Sequence, residues 1–507
     1  MAMKLLMLVI FFAIMVSVGI YARKHATSVD GYVLGGRSVG PWLTAFAYGT
    51  SYFSAVVFVG YAGQFGWKYG LASTWIGIGN AIIGSLLAWV VLGRRTKVMT
   101  QHLNSKTMPD FFGERYGSKA LKITASAIVF IFLVPYTASV YNGLSRLFGM
   151  AFNIPYTWCV IAMAVFTAIY VILGGYMATA INDFIQGIIM LFGIVAVIAA
   201  VLNGQGGFME AVSKMAQIPS DVPATMGQPG AFTAFFGPDP LNLLGVVILT
   251  SLGTWGLPQM IGKFYAIKDE KSINTGTVIS TLFAIVISGG CYFLGGFGRL
   301  FDSAEIYNAE TGAVVYDSII PSMLSKLPDI LIGIVVVLVL SASMSTLSSL
   351  VLTSSSTMTL DLLKDNIMKE MSEKKQIITM QILIVFFIVV SVVIALDPPT
   401  FIAQLMGISW GALAGAFLAP FLYGLYWKGV TRAGVWAGFI AGVGITVSNM
   451  FIGYIASPIN AGAAAMVAGL VIVPLVSLVT PKLKKEDVDE IFTCYEEKVV
   501  STKKRNL

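Results

Sequence analysis

Charged residues are scarce. Asp, Glu, Lys and Arg make up only 11% of the 507 residues, whereas 57% are hydrophobic and the mean hydropathy is +0.82. A composition this poor in charge excludes a soluble globular protein and makes the bilayer the main solvent. Histidine is scarcer still: His25 and His102 both lie in charged stretches, which excludes a histidine-based metal or catalytic site. The three cysteines, Cys159, Cys291 and Cys494, stand far apart with no CxxC spacing, so no disulfide framework is expected. Without a metal motif or a buried His or Cys pair, the chain also lacks the cluster that a membrane enzyme needs. The net charge of +7 would suit a nucleic-acid partner, but its distribution along the chain has a better explanation.

What the sequence has instead is long apolar runs. A hydrocarbon core about 30 Å thick takes roughly 20 apolar residues per helix. Runs of that kind predict an all-α integral membrane protein with thirteen transmembrane helices, at 5–22, 41–66, 70–93, 119–148, 155–174, 176–202, 241–267, 274–299, 328–362, 376–397, 400–427, 433–456 and 461–480. The first run has no small-residue cleavage site and is followed by RKH, as a retained anchor would be. All but six of the 32 Lys and Arg fall in alternate loops, at 23–40, 94–122, 263–271, 364–375 and 428–432, and in the tail from 482. Positive residues collect on the cytoplasmic side. The N-terminus is therefore expected outside, the C-terminus in the cytoplasm, with one transmembrane domain over 1–480 and a cytoplasmic tail at 481–507.

Two spans carry helix breakers at similar depth. The second has Gly49-Thr50-Ser51 in mid-membrane; the seventh clusters Gly253, Gly256 and Pro258. Glycine and proline are common in membrane helices, which accounts for any single case. Breaks paired five helices apart fit another pattern, that of secondary transporters whose inverted repeats bind ion and substrate at unwound helices near the midplane. On that pattern the five-plus-five inverted-repeat core runs over about 41–202 and 241–427.

Polar groups inside the spans are few and concentrated. Asp183, with Gln186 one turn on, is the one carboxylate expected within a span. An intramembrane acid is costly and faces a cavity, a partner or an ion; the plainer reading has it reaching water or a loop lysine. Residues 338–358, LVLSASMSTLSSLVLTSSSTM, hold eleven hydroxyls among 21 residues. Ser341, Ser345 and Ser348 fall on one helical face with Thr346 and Ser349 beside it. Such hydroxyls bond back to their own helix or cement packing, and this covers Thr353 to Thr357. For Ser345, Thr346, Ser348 and Ser349, ligation of a small hard cation such as Na⁺ is the favoured reading, completed by carbonyls of Thr50 and Phe53 at the break.

These motifs resemble the sodium:solute symporter family over roughly residues 5–450. The resemblance rests on GYVLGGRSVGPWLTA (31–45), PDFFGERYG (109–117), the GGYxAxxxxDxxQ run ending at Asp183 and Gln186, and SASMSTLSS (341–349). It implies the broken-helix, inverted-repeat fold and one sodium held by Thr50, Phe53, Ala342, Ser345 and Thr346. It further implies a second sodium at Asp183, Ser348 and Ser349, with Ser345 shared. Where the sodium/proline branch has ASDMS this chain has TSYFS, with Tyr52 at the acid position, and the YFSAVVFVGYAGQFGWKYG stretch is closer to pantothenate and monocarboxylate branches. Tyr52, Tyr136, Thr254 and Trp255 are the expected substrate-facing residues.

The expected activity is sodium-coupled import of a small organic solute (organic acid, amino acid or vitamin-like) by alternating access in the cell membrane. One or two Na⁺ would serve as coupling ions, with no nucleic acid and no obligate protein partner. The alternatives are a proton-coupled symporter using Asp183 and a transporter-like sensor, for which the short charged tail offers no signalling domain.

Overall fold

The computed structural model describes residues 2–496. Among these, helix dominates and pairing of extended backbone is confined to two isolated bridges. Among the described residues, ten helices are long and apolar enough to cross a membrane, and an eleventh span results if the bent pair Pro240–Trp255 and Pro258–Ala266 is counted as one. Two of the ten, Val56–His102 and Tyr156–Gly204, are 47 and 49 residues long. At about 1.5 Å per residue each far exceeds one bilayer. Within Tyr156–Gly204 the backbone leaves helical geometry at Gly175 (φ 55°, ψ −150°), a conformation that needs a residue without Cβ.

Local sequence sets many of the ends. Ser118 accepts from Leu121 N at the start of Lys119–Phe152, and Asn153 closes that helix in left-handed geometry. Asp269 accepts from Ser272 N to start Glu270–Gly295, and Pro240 follows the capping Asp239 at the head of Pro240–Leu252.

The centre of the molecule is built on two helices. The most apolar stretch of Ile402–Tyr426 is 94% buried and that of Asp329–Ile367 is 83% buried, against 22% for Met3–His25 and 28% for Glu373–Leu396. The latter pair, with Phe192 and Phe451 exposed on other helices, face the surface that lipid would cover. A short bridge links the segments around the two breaks: Val39 N donates to Ala266 O at 3.1 Å, and Lys268 N returns to Val39 O at 3.1 Å. The approach to the first broken helix is thereby tied to the end of the second. At the other end of the chain, Lys485–Phe492 forms a helix, and Tyr495 donates to Leu425 O at 2.8 Å with Cys494 buried. The tail thus docks on the bundle as far as residue 496; its remaining positions, 497–507, lie outside the described residues.

Both helix breaks are present, and the first is displaced from its expected position. Gly49, Thr50 and Ser51 remain helical within Pro41–Tyr52, and the chain turns extended at Phe53 (φ −111°, ψ 102°) before helix resumes beyond Ser54. Glycine permits unwinding but does not compel it. Here Phe283 packs directly over Gly49, where a Cβ would meet its ring at 2.4 Å, so this glycine serves close approach. The second break falls where expected: Pro240–Leu252 tightens over Gly253–Trp255, Leu257 is extended, and Pro258 starts the next half-helix.

Candidate functional site

The hydroxyl-rich helix Asp329–Thr357 lies against the last turn of Pro41–Tyr52. Ending a helix inside the protein leaves its last carbonyls without intrahelical partners, and here Thr346 comes to meet them. Its Oγ1 lies 3.3 Å from Thr50 O, 3.4 Å from Ser51 O and 3.1 Å from Ala342 O on its own helix. Ser345 Oγ donates to Thr50 Oγ1 at 2.7 Å, and Thr50 Oγ1 donates to Phe46 O at 2.8 Å. Thr50, Phe53, Ala342, Ser345 and Thr346 are all buried. A hydroxyl has one hydrogen to give, so three carbonyls converge on a single Thr346 proton. The cluster is rich in acceptors and poor in donors, an arrangement that a small cation satisfies better than further protein groups could. Phe53, the first residue past the helix end, contributes the extended backbone that frees these carbonyls.

Asp183 is fully buried, and it has a cationic neighbour that its own helix does not supply. Lys263 Nζ stands 3.8 Å from Asp183 Oδ2 and donates to Ser349 Oγ at 3.0 Å. Reading Lys263 as part of a basic cytoplasmic loop is therefore corrected. Pro258 restarts the helix, Lys263 lies inside that half-helix, and its side chain is only 3% exposed. Ser349 Oγ also contacts Ser51 Oγ at 2.8 Å, while Ser348 Oγ donates to Ser345 O on its own helix at 2.8 Å. Of the lower hydroxyls, Ser355 bonds back to Leu352 O and Ser356 to Thr353 O as expected, whereas Ser354 Oγ and Thr357 Oγ1 are buried without a hydrogen-bond partner among the described residues.

Around the second break the four aromatic and hydroxyl residues divide. Tyr52 donates to Thr250 O, tying the end of the first broken helix to the second, and stacks on Phe53 with ring centroids 4.2 Å apart. Thr254 Oγ1 donates to Gly84 O at 3.0 Å and Trp255 Nε1 to Ile83 O at 2.9 Å. Both anchor the break to a neighbouring helix with their polar atoms already engaged. Tyr136 instead meets Trp410 edge-on at 5.8 Å, and Trp410 lies 6.0 Å from Tyr52. Trp410 also closes over Gly253, where a Cβ would meet its ring at 2.4 Å. Tyr52, Tyr136 and Trp410 thus form a buried aromatic group between the two breaks.

Comparison with known proteins agrees with this architecture. The profile of the sodium:solute symporter family matches residues 32–442. The chain belongs to that family. Among its curated relatives are sodium/proline symporters of Staphylococcus aureus strains JH9 and NCTC 8325, each 31% identical over 500 residues, covering 95% of this chain and 93% of the relative. These relatives carry the sodium/proline name and not that of the pantothenate or monocarboxylate branches. The fold is shared with a Na⁺-coupled sialic acid symporter in a substrate-bound outward-open state, at a TM-score of 0.74, 14% identity, and coverage of 95% and 99% of the two chains. A closed nucleobase-cation-symport-1 family transporter with bromovinylhydantoin bound aligns at 0.52 and 12% identity. The protein is accordingly a sodium-coupled symporter of the membrane and not an enzyme.

Two residues beside the candidate site, Lys263 and Trp410, were not among those the sequence pointed to. Lys263 was legible in principle, because it stands only five residues after Pro258, too soon for a new helix to have ended. Trp410, within GISWGALAG, carries no such signal; small neighbours let other helices close on it, and only their packing shows which.

Proposed function

We propose that this symporter imports a small carboxylate-bearing organic solute together with Na⁺ by alternating access. The observation that carries the reading is the donor-poor oxygen cluster where Thr346 meets the carbonyls of Thr50 and Ser51. Sodium would be held by Thr50, Phe53, Ala342, Ser345 and Thr346, joining the first broken helix to the hydroxyl helix. Because Tyr52 ends that broken helix and reaches Thr250 at the second one, fixing one also positions the other. Tyr52, Tyr136 and Trp410 would enclose the apolar body of the solute, with Thr254 and Trp255 holding the second break in shape. The N-terminus of the half-helix Pro258–Ala266 points its positive end at the break, where a carboxylate is favoured. The solutes named for a curated relative and for the structural neighbour, proline and sialic acid, both carry a carboxylate.

Dividing the two overlong helical elements at Gly70 and Gly175, both with positive φ, takes eleven spans to thirteen. That count supports an outside N-terminus, a cytoplasmic C-terminus and repeats over about 41–202 and 241–427. The membrane potential would then drive import, at about 2.3 kcal/mol per charge for 100 mV. Sodium can bias the cycle only by binding the outward-facing form more tightly. A proton-coupled reading through Asp183 is disfavoured by the Lys263 ammonium beside it.

The test is uptake into proteoliposomes across amino acids, monocarboxylates and vitamin-like acids, with sodium and pH gradients imposed separately. Accumulation driven by sodium alone for a carboxylate solute is expected. Accumulation driven by a proton gradient and indifferent to sodium would overturn the proposal.

A further inference from the structure

The resemblance to the family places a second sodium at Asp183, Ser348 and Ser349, and a lysine already stands there. Lys263 Nζ is 3.0 Å from Ser349 Oγ and 3.8 Å from Asp183 Oδ2, and it lies 5.3 Å from the centre of the Tyr176 ring. We infer that the Lys263 ammonium is a tethered cation occupying the second cation locus, so that this symporter binds one Na⁺ per cycle. The inference rests on sodium coupling at the Thr346 cluster and specifies how many ions that coupling uses.

The argument is one of charge and geometry. A buried carboxylate needs one compensating positive charge. An ammonium and a sodium ion each carry one, and both seek oxygen. With Lys263 in place, a sodium ion at Asp183 would set two cations against one acid, with no further carboxylate or anion in contact to balance them among the described residues. The lysine reaches this position because the second break restarts the helix at Pro258 and so places residue 263 beside the hydroxyl helix. Its three contacts come from two other elements: Ser349 from the hydroxyl helix, and Asp183 and Tyr176 from the helix that continues past Gly175. Lys263 and Ser349 both line a cavity of about 50 Å³, together with Lys106, Thr107, Gln259 and Ser356. A side chain cannot leave, so it meets the charge requirement of Asp183 without carrying charge across the membrane.

Equilibrium binding of radioactive sodium to the purified full-length protein tests this without knowledge of the solute. Wild type should bind one Na⁺ per chain with a Hill coefficient near one. Lys263→Ala should bind two with a coefficient above one, and Lys263→Arg should return to one. The double variant Asp183→Asn with Lys263→Gln removes both charges together, which spares the fold an unpaired ion, and should bind one. Two ions on wild type overturn the tethered-cation inference while leaving sodium coupling intact. No bound sodium on wild type overturns the sodium reading itself. A count of one for Lys263→Ala shows that removing the ammonium opens no second cation place, and a count of none for the neutral double variant shows that Asp183 serves the single bound ion; either overturns the inference.

Discussion

Replacing Thr346 by valine keeps the shape of the side chain and removes only the oxygen at the centre of the candidate ion site. Before sodium binds, that oxygen shares one hydrogen among carbonyls at 3.1, 3.3 and 3.4 Å. The substitution therefore loses one neutral hydrogen bond, about 0.5–1.5 kcal/mol, and leaves the fold intact. With sodium bound, the same oxygen faces a full charge, and a neutral group held against a charge contributes about 1.5–3 kcal/mol. Binding loses the difference between the two states, about 1–1.5 kcal/mol, so at 1.4 kcal/mol per tenfold the half-saturating sodium concentration should rise roughly 5- to 12-fold. The measurement is a sodium titration of the melting temperature of purified protein, which needs no knowledge of the solute. Ser345→Ala should shift in the same direction. Ser355→Ala is the control, because its hydroxyl donates only to Leu352 O within its own helix, at 3.1 Å. If Thr346→Val and Ser345→Ala bind sodium as wild type does, or if Ser355→Ala weakens it equally, the assignment of the cluster is refuted.

Two further outcomes follow from charges away from the ion site. Lys122 Nζ bonds Asp110 at 2.6 Å and also Asp365, and it stands 3.7 Å from Asp361. Lys122→Met should destabilise by about 3–5 kcal/mol, because it leaves buried carboxylates without a cation; Asp361→Asn added to it should recover part of the lost melting temperature, and an unchanged melt for Lys122→Met would refute this. On the loop face, burial pushes the Asp317 carboxyl up to about 6, opposed by Arg146 at 4.0 Å and by the Ile402 amide that donates to it at 3.2 Å. The folded state therefore holds a proton that the unfolded chain releases near 3.8. That contribution to stability is fully present below this value and is lost as pH rises to about 6. Asp317→Asn keeps an acceptor for the amide, so its melting temperature should gain on that of wild type across the window; a constant difference would count against the burial argument.

How much was legible in the sequence differs from one element to another. The hydroxyl helix was read almost to its ends, because apolar length and the run of serines are local properties. The pairing of two breaks was also legible, since proline at 258 acts on its own backbone. The first break was not placed correctly, because Gly49 serves Phe283 and the chain unwinds only at Phe53. Asp183 stands out in the sequence as an intramembrane acid, yet the partner that explains it lies 80 positions along the chain, a lysine that the charge pattern groups with the basic loop 263–271.

The sequence by itself determined the solvent, the helical class, the family and the residue types available for a cation, because each follows from composition or from spacing along one helix. Only the tertiary structure decided which oxygens converge on one hydrogen, that Trp410 sits between the breaks, and that a lysine stands beside Asp183. Those facts depend on which helices touch, and contact between distant segments is set by the close approach of backbones in the assembled bundle, which no local pattern encodes.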